Sequence, residues 1–163
     1  MTPTMTRAGD PLPGFPAADP TTKPERKVPA AAAFHGDYTV TRSRRDQPGA
    51  PETANHEVVT ACLRAEDRCV TTSTSTAPRD PTAPFAEFSV LQFGEGTFGR
   101  TAVAASRACD GGGQGVATES ETLALPPNAS TPLRTLTGER VATFTAGCAG
   151  KVVDDVEYAL TSD

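Results

Sequence analysis

Four cysteines, Cys62, Cys69, Cys109 and Cys148, are the residues of this chain best suited to chemistry. A thiol can be a nucleophile, a metal ligand or half of a disulfide, and spacing separates these uses. Six turn-capable residues, Leu63-Arg64-Ala65-Glu66-Asp67-Arg68, lie between Cys62 and Cys69, with β-prone residues on both sides. A hairpin there brings two Cβ atoms to bridging distance at its mouth. Cys109 then pairs with Cys148 by elimination. On a chain-entropy model the short loop contributes about 2.5 kcal/mol and the long one about 4 kcal/mol. Zinc asks for close ligand pairs such as Cys-x-x-Cys, which this chain lacks, so neither metal nor cofactor is expected. A nucleophilic thiol needs a positioned base, and nothing in the sequence places one.

The remaining reactive groups point the same way. His35 and His56 stand alone in or beside strand-like runs and read as surface or hydrogen-bonded residues. The carboxylates Glu119, Glu121, Asp154 and Asp155 sit in strand-like runs, where such pairs line a solvated face more often than they form an acid/base dyad. Gly94-Glu95-Gly96-Thr97-Phe98-Gly99 fits the Gly-x-Gly-x-x-Gly pattern of a phosphate-covering loop. That chemistry also needs a lysine on the next strand, a catalytic-loop Asp and a metal-binding Asp-Phe-Gly. The next lysine is Lys151, and neither His-Arg-Asp nor Asp-Phe-Gly occurs, so the segment reads as a hairpin turn. Asn128-Ala129-Ser130 is a glycosylation sequon, meaningful only in a host that uses it. Asp110 beside Gly111-Gly112-Gly113 supplies one carboxylate, too few for calcium. No catalytic residue is expected.

The elements that must position these groups are strands. The chain has 163 residues, 37% hydrophobic and 6% aromatic, with no Trp and no Ile. That is enough for one modest core. Seven of the 15 prolines fall within residues 1–33, which carry few large apolar side chains. Residues 1–33 are therefore expected to be a disordered linker, and residues 34–163 to carry the fold. No apolar run is long enough for a transmembrane helix, and no secretory signal peptide is recognisable at the start. Residues 1–33 sum to +1 and the remainder to −6 of the total −5, a charge unsuited to nucleic acid or to anionic membranes.

From Phe34 onward short alternating runs are separated by turn clusters such as Gln47-Pro48-Gly49, Pro78-Arg79-Asp80-Pro81 and Pro126-Pro127-Asn128. Runs are expected around Tyr38–Val40, Val58–Cys62, Cys69–Thr76, Phe85–Phe93, Phe98–Ala108, Val116–Leu125, Arg140–Ala146 and Val152–Thr161. The Phe85–Phe93 run changes phase between Val90 and Leu91, which predicts a bulge or a strand covered on both faces. Ala102–Ala108 is the one stretch that allows a helical turn. The expected fold is all-β: an antiparallel meander of about eight short strands, a curved sheet or a small barrel, stapled by disulfides.

Thr60-Ala61-Cys62-Leu63-Arg64-Ala65-Glu66-Asp67-Arg68-Cys69-Val70 resembles the two-cysteine signature in the extracytoplasmic C-terminal region of actinobacterial transmembrane Ser/Thr protein kinases. Leu123-Ala124-Leu125-Pro126-Pro127, then Pro132-Leu133-Arg134-Thr135-Leu136-Thr137-Gly138, then Cys148, follow in the same order as in that family. The likeness covers roughly residues 34–163. It departs at Ala65-Glu66, where the family has Thr-Gly, and at Phe98, in a region where the family commonly has Trp. The resemblance implies a non-catalytic sensor domain outside the cytoplasm, joined in a parent kinase to an upstream membrane helix. Its partner would be a ligand or protein of the cell envelope, of unknown identity, and its oligomeric state is unreadable. A secreted structural or binding protein of the envelope, without a signalling role, is the alternative.

Overall fold

In the computed structural model eight antiparallel strands close into a barrel in sequence order. The structure describes residues 19–22, 28–47, 49–63, 66–75, 88–109, 112–148 and 150–162, with backbone alone at 20 and 102–108. The strands are β1 Gly36–Arg44, β2 Glu52–Cys62, β3 Cys69–Ser75, β4 Phe88–Gly94, β5 Thr97–Ala108, β6 Gln114–Ala124, β7 Thr135–Ala146 and β8 Lys151–Ser162. Each pairs with the next, and β1 closes on β8 through pairs such as Tyr38 with Leu160 and Val40 with Tyr158. Between a curved sheet and a small barrel, the structure is the barrel.

Alternation decides which side chains point in. On β3, Cys69, Thr71, Ser73 and Ser75 are buried while Val70 is exposed. On β1, Tyr38, Val40 and Arg42 share the inner face. β4 keeps strict alternation, with Ser89 and Leu91 inward and Phe88 and Val90 outward. The expected bulge between Val90 and Leu91 is therefore absent. Leu91 sets the phase because it reaches the core, and Phe88 and Val90 are left outside. Register shifts fall instead between Ala104 and Arg107 of β5 against β6, at Asp37/Tyr38 of β1 against β8 and at Val116/Ala117 of β6 against β7. Ala102–Ala108 is strand and not a helical turn, because its backbone is committed to pairing with β6. Phe85–Glu87, the turn at Pro78–Pro81, and Asp110 and Gly111 lie outside the described residues.

The two ends of the barrel differ. One end is apolar and capped. The 3-10 turn Ala30–Ala33 crosses it, with Ala31 and Ala33 buried and Leu133 N donating to Ala33 O at 2.9 Å. The fold thus begins ahead of the expected boundary at residue 34: small methyl groups fit a lid where larger side chains would not. Elsewhere in the expected linker, Asp19 accepts from Thr21 N at 2.8 Å in a turn over Pro20–Thr22, and 1–18 and 23–27 lie outside the described residues. Beneath the lid Phe34 packs edge-on against Tyr38, Phe98 and Tyr158, at centroid distances of 5.2, 5.1 and 5.3 Å. Tyr38 satisfies its buried hydroxyl by donating to Leu133 O at 2.6 Å. Edge-to-face contacts add to the area that aromatic rings bury.

At the opposite end, where β1, β3, β5 and β7 finish, no element caps the barrel among the described residues, and this is the open end. Both the approach to β1 and the end of β8 lie at the capped end. β4 and β5 pair only there, through Gln92–Gly99, Phe93–Phe98 and Gly94–Thr97, and part toward the open end. Among the described residues no helix is long and apolar enough to cross a membrane.

Phe34 touches three of the core rings at once, so its truncation should be severe. Phe34→Ala is expected to cost about 3–5 kcal/mol in urea unfolding, the range for a large aromatic in a packed core. A cost below about 1 kcal/mol would show that the lid adds little to the barrel.

Candidate functional site

Midway along the barrel the filling changes from aromatic to charged. Glu119 and Glu121 of β6 are 4% and 1% exposed, inside the barrel. This corrects the expectation of a solvated face for that pair. Their neighbours explain it. Arg140 on β7 donates from Nη2 to Glu119 Oε1 at 2.8 Å, and Arg100 on β5 donates from Nε to Glu121 Oε2 at 2.9 Å. Arg100 Nη2 also lies 3.8 Å from Glu119 Oε2. A buried carboxylate is tolerable when paired and hydrogen-bonded in this way. Of the other two carboxylates, Asp155 is exposed and accepts from Arg45 Nη2 at 2.6 Å, which holds it below the usual carboxylate range, while Asp154 faces the open end.

The ladder continues across the barrel. Tyr158 of β8 donates to Glu121 Oε1 at 3.3 Å. Burial, and after it the nearby Glu121 carboxylate, push the Tyr158 hydroxyl well above the usual phenol range. His56 of β2 is 1% exposed, bonds Ser73 Oγ through Nδ1 at 2.9 Å and meets Tyr158 edge-on. His35 is half-buried, with Nδ1 2.7 Å from Ala32 O. Both histidines are hydrogen-bonded parts of the fold.

Above the ladder, at the open end, lies a cavity of about 400 Å³. Arg42, Arg44, Arg140, Glu52 and Asp154 contribute to its wall. Arg42, Arg100 and Arg140 were not singled out in the sequence, yet a signal was there. Arg42 stands two residues from Val40, Arg100 two from Phe98, and Glu121 two from Leu123, all core residues on the same strand face. Period-two counting from a core residue carries these charges inside.

The cysteines pair as Cys62–Cys69 and Cys109–Cys148, with Cα separations of 4.0 and 5.8 Å. The first closes the β2–β3 hairpin at the capped end. The second joins the β5–β6 and β7–β8 connections at the open end. Gly115 lets the second bridge cross, since a Cβ there would overlap Cys148 Sγ. The glycine-rich segment is a two-residue turn between β4 and β5, with Glu95 at φ 53° and Gly96 at φ 78°. It sits at the capped end, far from the open cavity.

No protein-family model and no curated protein sequence matches the chain. Among solved structures it matches the monomer form of the M. tuberculosis PknI sensor domain, with a TM-score of 0.57 and 19% identity. The match covers 84% of this chain and 90% of that one. The chain has the fold of the PknI sensor domain. At that identity the likeness is one of fold, and it matches the architecture implied by the cysteine and Leu-Thr-Gly segments.

Two outcomes follow from the ladder. Glu119→Leu strands Arg140 and should cost about 3–5 kcal/mol, whereas the double variant Glu119→Leu/Arg140→Met should recover most of it in a double-mutant cycle. Additive losses would show that the two side chains do not act as a pair. Tyr158 binds its proton more tightly in the folded chain, so its contribution is complete below the ordinary phenol value of about 10 and is lost as pH rises above it. Phenolate absorbance should therefore appear together with loss of the far-ultraviolet signal at alkaline pH, and Tyr158→Phe should move that unfolding to higher pH. Ionisation of Tyr158 in a still-folded barrel would contradict its burial.

Proposed function

We propose that this chain is a non-catalytic sensor or ligand-binding domain that works outside the cytoplasm, of the kind carried by transmembrane Ser/Thr protein kinases. The observation that carries the reading is the likeness in fold to a sensor domain. Three further features support it. Two bridges use every cysteine of the chain, an economy suited to an oxidising compartment. The arginines and carboxylates inside the barrel are spent on one another, an arrangement that holds a shape and does not poise a nucleophile. The chain enters and leaves the barrel at its capped end, so a tether on the N-terminal side would leave the open cavity facing outward.

The deciding experiment grafts residues 28–163 outside a membrane helix joined to a kinase catalytic region. Autophosphorylation that changes when cell-envelope fractions are added supports the sensor reading. An unresponsive graft whose domain is folded and oxidised would favour the second reading, a secreted binding or structural protein of the envelope. The natively exported chain should show no thiol reactive toward a maleimide until it is reduced. Four reactive thiols in that sample would remove the extracytoplasmic assignment.

A further inference from the structure

In three hollows of the surface the arginines are already held. Arg45 in the groove over Gly138, about 720 Å³, is taken up by Asp155 and Glu139. In the open-end cavity Arg44 is held by Asp46 and Arg140 by Glu119. Arg68, beside the Cys62–Cys69 bridge, meets Glu66. The seam between β4 and β5 is different, because what it offers is backbone.

Gly94 and Thr97 close a two-residue turn, so their backbone groups face one another across the seam. Along an antiparallel strand every second residue faces the same neighbour. Gln92, Val90 and Phe88 therefore present their N–H and C=O groups to the β5 side, and Gly99 and Thr101 present theirs to the β4 side. Gln92 pairs with Gly99, and the pairing stops there. Beyond it, Val90 and Phe88 on one edge and Thr101 on the other have no partner across the seam among the described residues. The pairing of β4 with β3 continues to Phe88, so β4 is an ordered strand with one open edge. Such an edge is a template for another strand. A hollow of about 500 Å³ lies at this place, with Val90, Gln92, Gly99 and Thr101 in its wall.

The side chains beside the open edge give a second, independent indication. Phe88 and Val90 point outward and are 59% and 42% exposed. Val90 stands beside Thr72 and, across β3, Val59; Gln92 stands beside Val70. Val59 and Val70 are exposed as well. An uncharged apolar face thus runs from β2 to the seam and ends at the unpaired groups. Exposed apolar patches of this kind mark interaction sites.

We propose that the β4–β5 seam takes up an extended peptide segment of a partner protein as an added strand, antiparallel to β4, with uncharged apolar side chains beside Phe88 and Val90. The slot is closed at one end by the Gly94–Thr97 turn. A single strand enters it from the open end, whereas the edge of a second folded barrel does not fit between two strands of the first. Backbone pairing supplies affinity and the apolar neighbours supply preference, as in other cases of strand addition. The proposal goes beyond the sensor reading, since the slot belongs to the barrel whatever the domain reports to.

The test is amide hydrogen exchange, followed by nuclear magnetic resonance, on the oxidised full chain. The probe is an octapeptide of alternating valine and threonine with a lysine added at each end. It should slow exchange of the Phe88, Val90 and Thr101 amides at least about tenfold, while Gln92 and Gly99, already paired, change little. The same peptide with proline at its two central valines has the apolar character but lacks the donors, and should give no protection. Val90→Lys puts a charge on the edge at an exposed position, and should weaken binding at least about tenfold at unchanged melting temperature. Val90→Pro removes one seam-facing N–H and should weaken binding likewise; if that variant does not fold, Val90→Lys still decides. No protection at millimolar peptide, equal protection by the proline peptide, or unaltered binding by Val90→Lys would each overturn the proposal. Protection that rises with protein concentration in the absence of peptide would assign the edge to a second copy, and would overturn it too. A kinase graft that responds to envelope fractions while the probe leaves these amides unprotected would keep the sensor reading and sink the slot. Protection beside an unresponsive graft would do the reverse.

Discussion

A closed barrel of eight strands must fill its own inside, and this chain has few bulky side chains with which to do it. Its interior residues alternate with exterior ones on every strand, so each inward position counts. The capped half is filled by aromatic rings centred on Phe34. The other half is filled by arginines and glutamates that neutralise one another. Long guanidinium side chains occupy volume that leucine or isoleucine would take in a richer sequence. They do so only because a carboxylate stands within hydrogen-bond reach.

That division gives the molecule its polarity. Apolar filling at the capped end admits the alanine turn as a lid. Charged filling at the other end tolerates contact with water and leaves a cavity. The disulfides sit at opposite ends, one on a hairpin and one between two connections. The second matters most where the apolar core has thinned, because it ties together connections that the charged layer holds less firmly. The seam between β4 and β5 fits the same gradient: the two strands pair at the apolar end and part toward the charged one.

Legibility in the sequence followed the strength of the local signal. Thr- and Val-rich alternation marked the strands, and Gly94-Glu95-Gly96 marked a turn, because both are set within a few residues. The phase of β4 was misread because Phe88 and Val90 are large and apolar yet face outward, while Ser89 faces in. Apolar character alone cannot choose a face when polar residues also point inward. The alanines before Phe34 looked like linker because a methyl group carries almost no signal until the space it fills is known. Glu119 and Glu121 looked solvated because their partners, Arg140 and Arg100, lie 21 residues away along the chain.

By itself, the sequence determined that the domain is built from short antiparallel strands and that its cysteines serve as bridges. These rest on alternation, turn chemistry and spacing, which act over short distances. Only the tertiary structure decided that β1 closes on β8, that Arg42, Arg100, Arg140, Glu119 and Glu121 stand inside and that the alanine turn plugs one end. Each of these depends on which strands become neighbours, and pairing across the barrel is fixed by the whole interior being filled at once.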